Sequence, residues 1–194
     1  MSADAVVQRL WYGPAWLSLP LWPLAWLFRA VVALRRELYR LGLLRTHFVG
    51  VPVIVVGNVT VGGTGKTPVA AWLAHELGLR GRRVGVVLRG YRGRHPGRAR
   101  RVSAADAPVD VGDEALVHVA RGPHVVAIGA DRVAAARLAA EDGAQVIVCD
   151  DGLQHLRLAR DCEIAVVDAE RGFGNGRMLP AGPLREPPSR IERT

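Results

Sequence analysis

Val53-Ile54-Val55-Val56-Gly57-Asn58-Val59-Thr60-Val61-Gly62-Gly63-Thr64-Gly65-Lys66-Thr67 is the stretch whose reading decides the fold. A β-branched apolar run breaks into glycines, then Gly-Lys-Thr, then a helix-compatible segment from Pro68. Strand, glycine loop and helix in that order are the context of a phosphate-binding loop. Backbone N–H groups of such a loop and of the helix N-terminus point at anionic oxygens. Thr60, Gly62, Gly63, Thr64, Gly65, Lys66 and Thr67 are therefore the candidate nucleotide-binding residues. Lys66 is placed to reach the β- and γ-phosphates of ATP, and the Thr67 hydroxyl to ligate Mg²⁺. The strict pattern has glycine where this chain has Thr60, so the loop is a variant. Of the 26 basic residues, only Lys66 is lysine. A chain that uses arginine everywhere else keeps a compact ammonium at the one position where a planar guanidinium would not replace it.

The flanking sequence predicts a sheet covered on both faces. Val51–Gly57, Arg83–Leu88, His124–Ile128, Gln145–Cys149 and Glu163–Val167 read as apolar strands. Between them, Pro68–Gly78 reads as a helix with Val69, Trp72, Leu73 and Leu77 on one side, and Asp131–Glu141 as another. Near-continuous apolar strands alternating with helices imply an α/β fold, a P-loop NTPase-like parallel sheet flanked by helices. Ligands in such sheets sit at the carboxyl ends of the strands.

The 194 residues suffice for one full core, and the net charge of +8 points to an anionic partner. Cys149 and Cys162 make no disulfide framework and read as buried reduced thiols. Residues 10–28 carry no charge and hold four of the five tryptophans, with Arg29, Arg35, Arg36, Arg40 and Arg45 following. Pro14, Pro20 and Pro23 interrupt this run, and tryptophan favours the headgroup level. Residues 1–48 are thus expected to be a hydrophobic, basic, membrane-associating helical segment lying on the surface, with a single span and a soluble helix pair as the alternatives. Residues 49–194 are expected to be the nucleotide-binding core.

Several polar clusters fall at strand ends. Asp150 closes an apolar strand and is the candidate Mg²⁺ ligand, while Asp151 points to substrate or to the ion's surroundings. Gln154 and His155 follow, able to orient an attacking group or contact phosphate, or simply to sit in a polar loop. Asp113 and Glu114 open an apolar helix, either as cap and first-turn acid or as a general base beside the γ-phosphate. The loop Arg89–Arg101, with Tyr91 and Arg92, suits an anionic substrate; one tyrosine is too few stacking platforms for nucleic acid to be the expected partner. In the glycine- and proline-rich stretch 172–187, Arg185 is a candidate phosphate contact and Glu186 a metal ligand, with a structural ion pair as the alternative. The final Pro187–Thr194 closes no element, as in a piece of a longer protein.

Taken together, VGNVTVGGTGKTP (56–68), LRGYRGR (88–94), GDEA (112–115), DDGLQH (150–155) and LPAGPLREP (179–187), behind an apolar N-terminus, resemble the tetraacyldisaccharide 4'-kinases of lipid A biosynthesis. The resemblance implies transfer of the ATP γ-phosphate to the 4' hydroxyl of an acylated disaccharide 1-phosphate, giving lipid IVA, at the cytoplasmic face of the bacterial inner membrane. It implies that Asp113 is the catalytic aspartate, and that Glu114, Asp150, Asp151, Gln154, His155 and Glu186 surround Mg-ATP and the acceptor. On that pattern Asp151 and His155 join Asp113 as catalytic candidates and Glu114 and Glu186 join the metal set, while Tyr91, Arg92, Gln154 and Arg185 face substrate. The family also carries a C-terminal lobe supplying a histidine partner to the aspartate, so these residues alone are expected to be an incomplete kinase. The competing reading is a membrane-associated P-loop ATPase switch acting on a protein partner. Its loop commonly has a lysine where this chain has Val61.

Overall fold

Strand β1 (Val53–Gly57) is buried on both faces and lies near one edge of a six-stranded sheet. The computed structural model describes residues 3–90 and 98–193 of the chain. Its helical and strand elements are α1 (Ala3–Tyr12), α2 (Trp22–Arg40), α3 (Lys66–Leu79), β2 (Val84–Leu88), β3 (Arg100–Val102), α4 (Pro108–Val111), α5 (Asp113–Ala120), β4 (Val125–Ile128), α6 (Arg132–Glu141), β5 (Val146–Asp150) and β6 (Cys162–Ala165). Short 3₁₀ segments cover Ala15–Leu21 and Pro188–Arg193. The chain divides into two units: residues 45–57 with 65–164, and residues 1–44 with 58–64 and 165–194.

The first of these units holds the sheet, in the order β3-β4-β2-β5-β1-β6. β5 lies parallel between β1 and β2, and β4 runs parallel to β2. Every residue of β2 and β5 is buried, which explains why they read as unbroken apolar runs instead of alternating ones. The connection β1-α3-β2 crosses the sheet in one direction and β4-α6-β5 in the other. Right-handed crossovers then place α3 and α6 on opposite faces. β3 runs antiparallel to β4, inside the stretch that reads from sequence as one basic loop. The sheet is therefore mixed, not wholly parallel.

Two packing expectations need correction. The face α3 buries is Ala70, Ala71 and Ala74, whereas Trp72 is 60% exposed. Small side chains let the helix approach the sheet closely, so Trp72 turns outward while Val69, Leu73 and Leu77 stay half-buried. Cys149 is buried in β5 as expected, but Cys162 is exposed at the start of the edge strand β6.

In the other unit, the segment 58–64 is zipped onto the loop 177–186. Val61 N donates to the Pro183 carbonyl and Arg185 N to the Val59 carbonyl, both at 2.7 Å, and Thr60 bridges Leu184. The N-terminal helices tie to the same loop. Trp11 Nε1 donates to the Pro180 carbonyl at 3.1 Å, and Asn175 N to the Trp11 carbonyl at 3.0 Å. Ala15–Arg40 is a 26-residue helical stretch long and apolar enough to cross a membrane, and little of it is covered by protein.

Candidate active site

The register of β1 on β5 builds the site. Val56 pairs with Asp150, so the strand that leads into the glycine loop ends beside the strand that ends in carboxylates. Gly65 caps α3 with φ 76°, a left-handed conformation that glycine adopts without penalty. Lys66 and Thr67 follow as the first helical residues, where backbone N–H groups lack intrahelical partners. Lys66 Nζ stands 3.9 Å from Asp151 Oδ1, with the lysine side chain largely covered. Asp151 itself has φ 55°, uncommon for any residue other than glycine. Backbone strain of that kind turns its carboxylate out of the line of β5 and towards the lysine.

Asp150 is buried, and its two oxygens have different surroundings. Oδ2 lies 3.1 Å from Nε2 of His118, which is fully buried. Oδ1 is buried with no hydrogen-bond partner among the described residues. His118 comes from α5, one turn after Glu114. Glu114 is exposed at its surface, yet the protein packed around its carboxyl raises the pKa above the ordinary range. Asp150 and Asp151 add to that rise, and Lys66 and His118 oppose it. Glu114, Asp150, Asp151, Lys66 and His118 thus form one electrostatic cluster. Asp113 is exposed as the first residue of α5; the cap position is Gly112, with no side-chain capping bond, so the simple capping alternative does not hold.

Arg132 is a second residue that sequence reasoning did not single out. It opens α6 almost fully buried, and Nη1 donates to the Gly129 carbonyl at 2.6 Å. Burial lowers its pKa, countered by Cys149 and Asp151. Its Nε has no partner among the described residues. The sequence offered no signal that singled Arg132 out from Arg137 in the same alanine-rich helix; its burial, rare for an arginine, emerges only in the fold. His118 did offer a weak one, a histidine on an apolar face four residues after Glu114.

Gln154 and His155 lie half-buried in the turn after β5, where His155 N donates to the Gly152 carbonyl at 2.9 Å. In the other unit, Glu186 is buried and its Oε2 lies 3.2 Å from Arg190 Nε. An ion pair does form at Glu186, with Arg190 as its partner. Arg185 is half-buried on the strand-like segment paired to Val59. Tyr91 and Arg92 lie outside the described residues. No group of three or more His, Cys, Asp or Glu side chains among the described residues is set to hold a metal ion.

The chain is similar to known proteins of one family. The family profile described as tetraacyldisaccharide-1-P 4'-kinase matches residues 17–194. The tetraacyldisaccharide 4'-kinase of Alkalilimnicola ehrlichii is 54% identical over 179 residues, covering 92% of this chain and 54% of the relative. That of Xanthomonas campestris pv. campestris is 53% identical over 181 residues, covering 93% and 51%. The chain spans about half the length of the curated relatives it matches. A crystal structure of LpxK from Aquifex aeolicus in complex with ATP superposes with a TM-score of 0.81 at 36% identity, over 92% of this chain and 57% of that one.

Proposed function

The chain belongs to the tetraacyldisaccharide-1-P 4'-kinase family, and from that premise we propose that it is the ATP-binding part of a lipid-sugar kinase. The complete protein would move the γ-phosphate of ATP to the 4' hydroxyl of an acylated disaccharide 1-phosphate. The observation that carries this reading is the cluster of Lys66, Asp150, Asp151 and Glu114 beside the glycine-capped start of α3. Phosphoryl transfer asks for charge neutralisation and positioning more than for covalent chemistry.

Each residue has a part. Lys66 and the N–H groups that open α3 would take the ATP phosphates, with buried Arg132 as a further positive charge. Asp150 Oδ1, buried and without a partner among the described residues, fits an ion or its water, and Thr67 and Glu114 of the same unit are the other oxygens proposed for it; Glu186 is the metal-ligand candidate of the other unit. Mg²⁺ commonly keeps several waters and takes one or two carboxylates plus substrate phosphates, so a site with few protein oxygens can hold it. When bound, Mg²⁺ would neutralise charge developing on the phosphates. Asp113, exposed at the start of α5, would accept the proton of the acceptor hydroxyl, and Asp151 and His155, which follow β5, are the further catalytic candidates. Tyr91, Arg92, Gln154 and Arg185 would face the anionic acceptor.

Residues 1–48 would rest on the cytoplasmic face of the inner membrane. Trp16, Trp26 and Leu27 are 66%, 65% and 62% exposed, a costly display unless lipid covers it. Residues 49–194 would form the kinase core. The test is transfer of radiolabelled phosphate from ATP to an acylated disaccharide 1-phosphate in micelles. It should use a chain extended to the length of the relatives, with and without Asp113→Ala. Loss of transfer by about 10²- to 10⁴-fold with ATP binding retained is expected for a general base. Transfer near the parent rate would remove Asp113 from that role.

A further inference from the structure

Among the described residues, a cavity of about 200 Å³ is lined by Trp22, Ala25, Trp26 and Arg29 of α2 and by Gly176 and Arg177. The kinase reading makes no use of it. Arg177 is held from several sides. Its guanidinium lies 4.2 Å over the Trp22 ring, and Nη1 donates to the Ala15 carbonyl at 2.9 Å and to Oγ of buried Ser18. Those bonds all use Nη1, so among the described residues the Nε–Nη2 edge keeps its donors. Arg29 sits 5.5 Å over the Trp26 ring on the same cavity. No carboxylate lines the space, and the exposed apolar residues Trp16, Leu19, Leu24 and Leu27 belong to the same helical stretch.

We infer that this cavity binds the phosphate of an anionic phospholipid headgroup, with the Nε–Nη2 edge of Arg177 gripping it and Arg29 supplying the second charge. A guanidinium edge matches two phosphate oxygens in a way an ammonium does not. Arg177 is already immobilised by Trp22, Ala15 and Ser18, so little rotamer freedom is lost on binding. Tryptophan at headgroup depth places the site where such phosphates lie. A lipid is favoured over a free anion because the neighbouring apolar side chains would stay uncovered by the latter. The inference rests on the membrane-surface reading of residues 1–48.

The test is flotation of the whole chain with vesicles of phosphatidylcholine alone or mixed with phosphatidylglycerol. Arg177→Gln and Arg29→Gln would be compared with Arg36→Gln, an α2 arginine outside the cavity. A basic residue merely near an anionic surface is worth roughly a fivefold change in binding. Arg177→Gln and Arg29→Gln should each lose about tenfold or more on the phosphatidylglycerol vesicles and change little on phosphatidylcholine. Losses no greater than that of Arg36→Gln would overturn the site while leaving membrane association intact. Failure of the parent chain to float with either vesicle would overturn the membrane reading and the site with it. Inorganic phosphate that displaces the chain from vesicles at millimolar concentration would overturn the lipid as the ligand. Among the described residues Arg29 makes only the ring contact with Trp26, so Arg29→Gln keeps the test valid if Arg177→Gln misfolds.

Discussion

Nε2 of His118 lies 3.1 Å from Oδ2 of Asp150, with both side chains shut off from solvent. A carboxylate accepts only, so this geometry calls for the ring tautomer that carries its proton on Nε2. The bond occupies one oxygen of Asp150 and leaves Oδ1 for a ligand. Replacing the ring with His118→Leu would leave Oδ2 buried without a partner. A loss of about 1–3 kcal/mol in unfolding free energy is expected, measured by urea titration at neutral pH. Unchanged stability would mean that Asp150 finds another donor.

Glu114 sets a pH dependence. Its folded-state pKa is raised, chiefly by burial and then by Asp150 and Asp151, so the folded protein binds this proton more tightly than the unfolded chain does. Below the ordinary glutamate range, about 4.3, both states are protonated and there is no penalty. Stability falls as pH rises through that range to the raised value, and the penalty is constant above it. Glu114→Gln should therefore raise Tm at pH 7 in metal-free buffer and have little effect at pH 3.5. A gain equal at both pH values, seen by calorimetry, would show that charge is not the cause.

Lys66 should prove irreplaceable by the residue this chain otherwise prefers. A hydrogen bond to a charged group is worth about 1.5–3 kcal/mol, so Lys66→Ala should weaken ATP binding roughly 10- to 100-fold by calorimetric titration. Lys66→Arg should not restore it, because the longer fork does not fit a position built for a compact ammonium. Full affinity in Lys66→Arg would show that charge alone matters.

Gly152 is required for close packing behind the site. A Cβ there would stand 2.6 Å from Cys149 Sγ and 2.9 Å from Val55 Cγ1. Gly152→Ala should cost about 1–3 kcal/mol as overpacking of the β1–β5 pair. A thermal-shift measurement showing no loss would mean the strand ends part freely.

Much of this could be read along the chain. The strand-loop-helix order around Lys66 required only local periodicity and glycine, and Asp150 followed because an apolar run ended in a carboxylate. The α/β class came from five apolar runs, and in the four that the sheet largely buries the lack of alternation is itself the mark of strands covered on both faces. These features are local, and short-range chemistry determined them.

What lay between distant segments was legible only in the fold. His118 and Asp150 are 32 residues apart, and nothing in either neighbourhood points to the other. The antiparallel β3, the outward turn of Trp72 and the exposure of Cys162 depend on which strand is an edge and how closely a helix sits, neither of which is encoded in a window of sequence. Arg177 and Trp22 illustrate the same limit, since an arginine in a glycine-rich loop gains a fixed direction only when a helix 155 residues earlier supplies its ring. The loop around Lys66 was determined by its own residues, because backbone conformation is set by neighbours in the chain. The surroundings of Asp150 and Arg177 were decided by tertiary structure, because burial and partnership are properties of the packed whole.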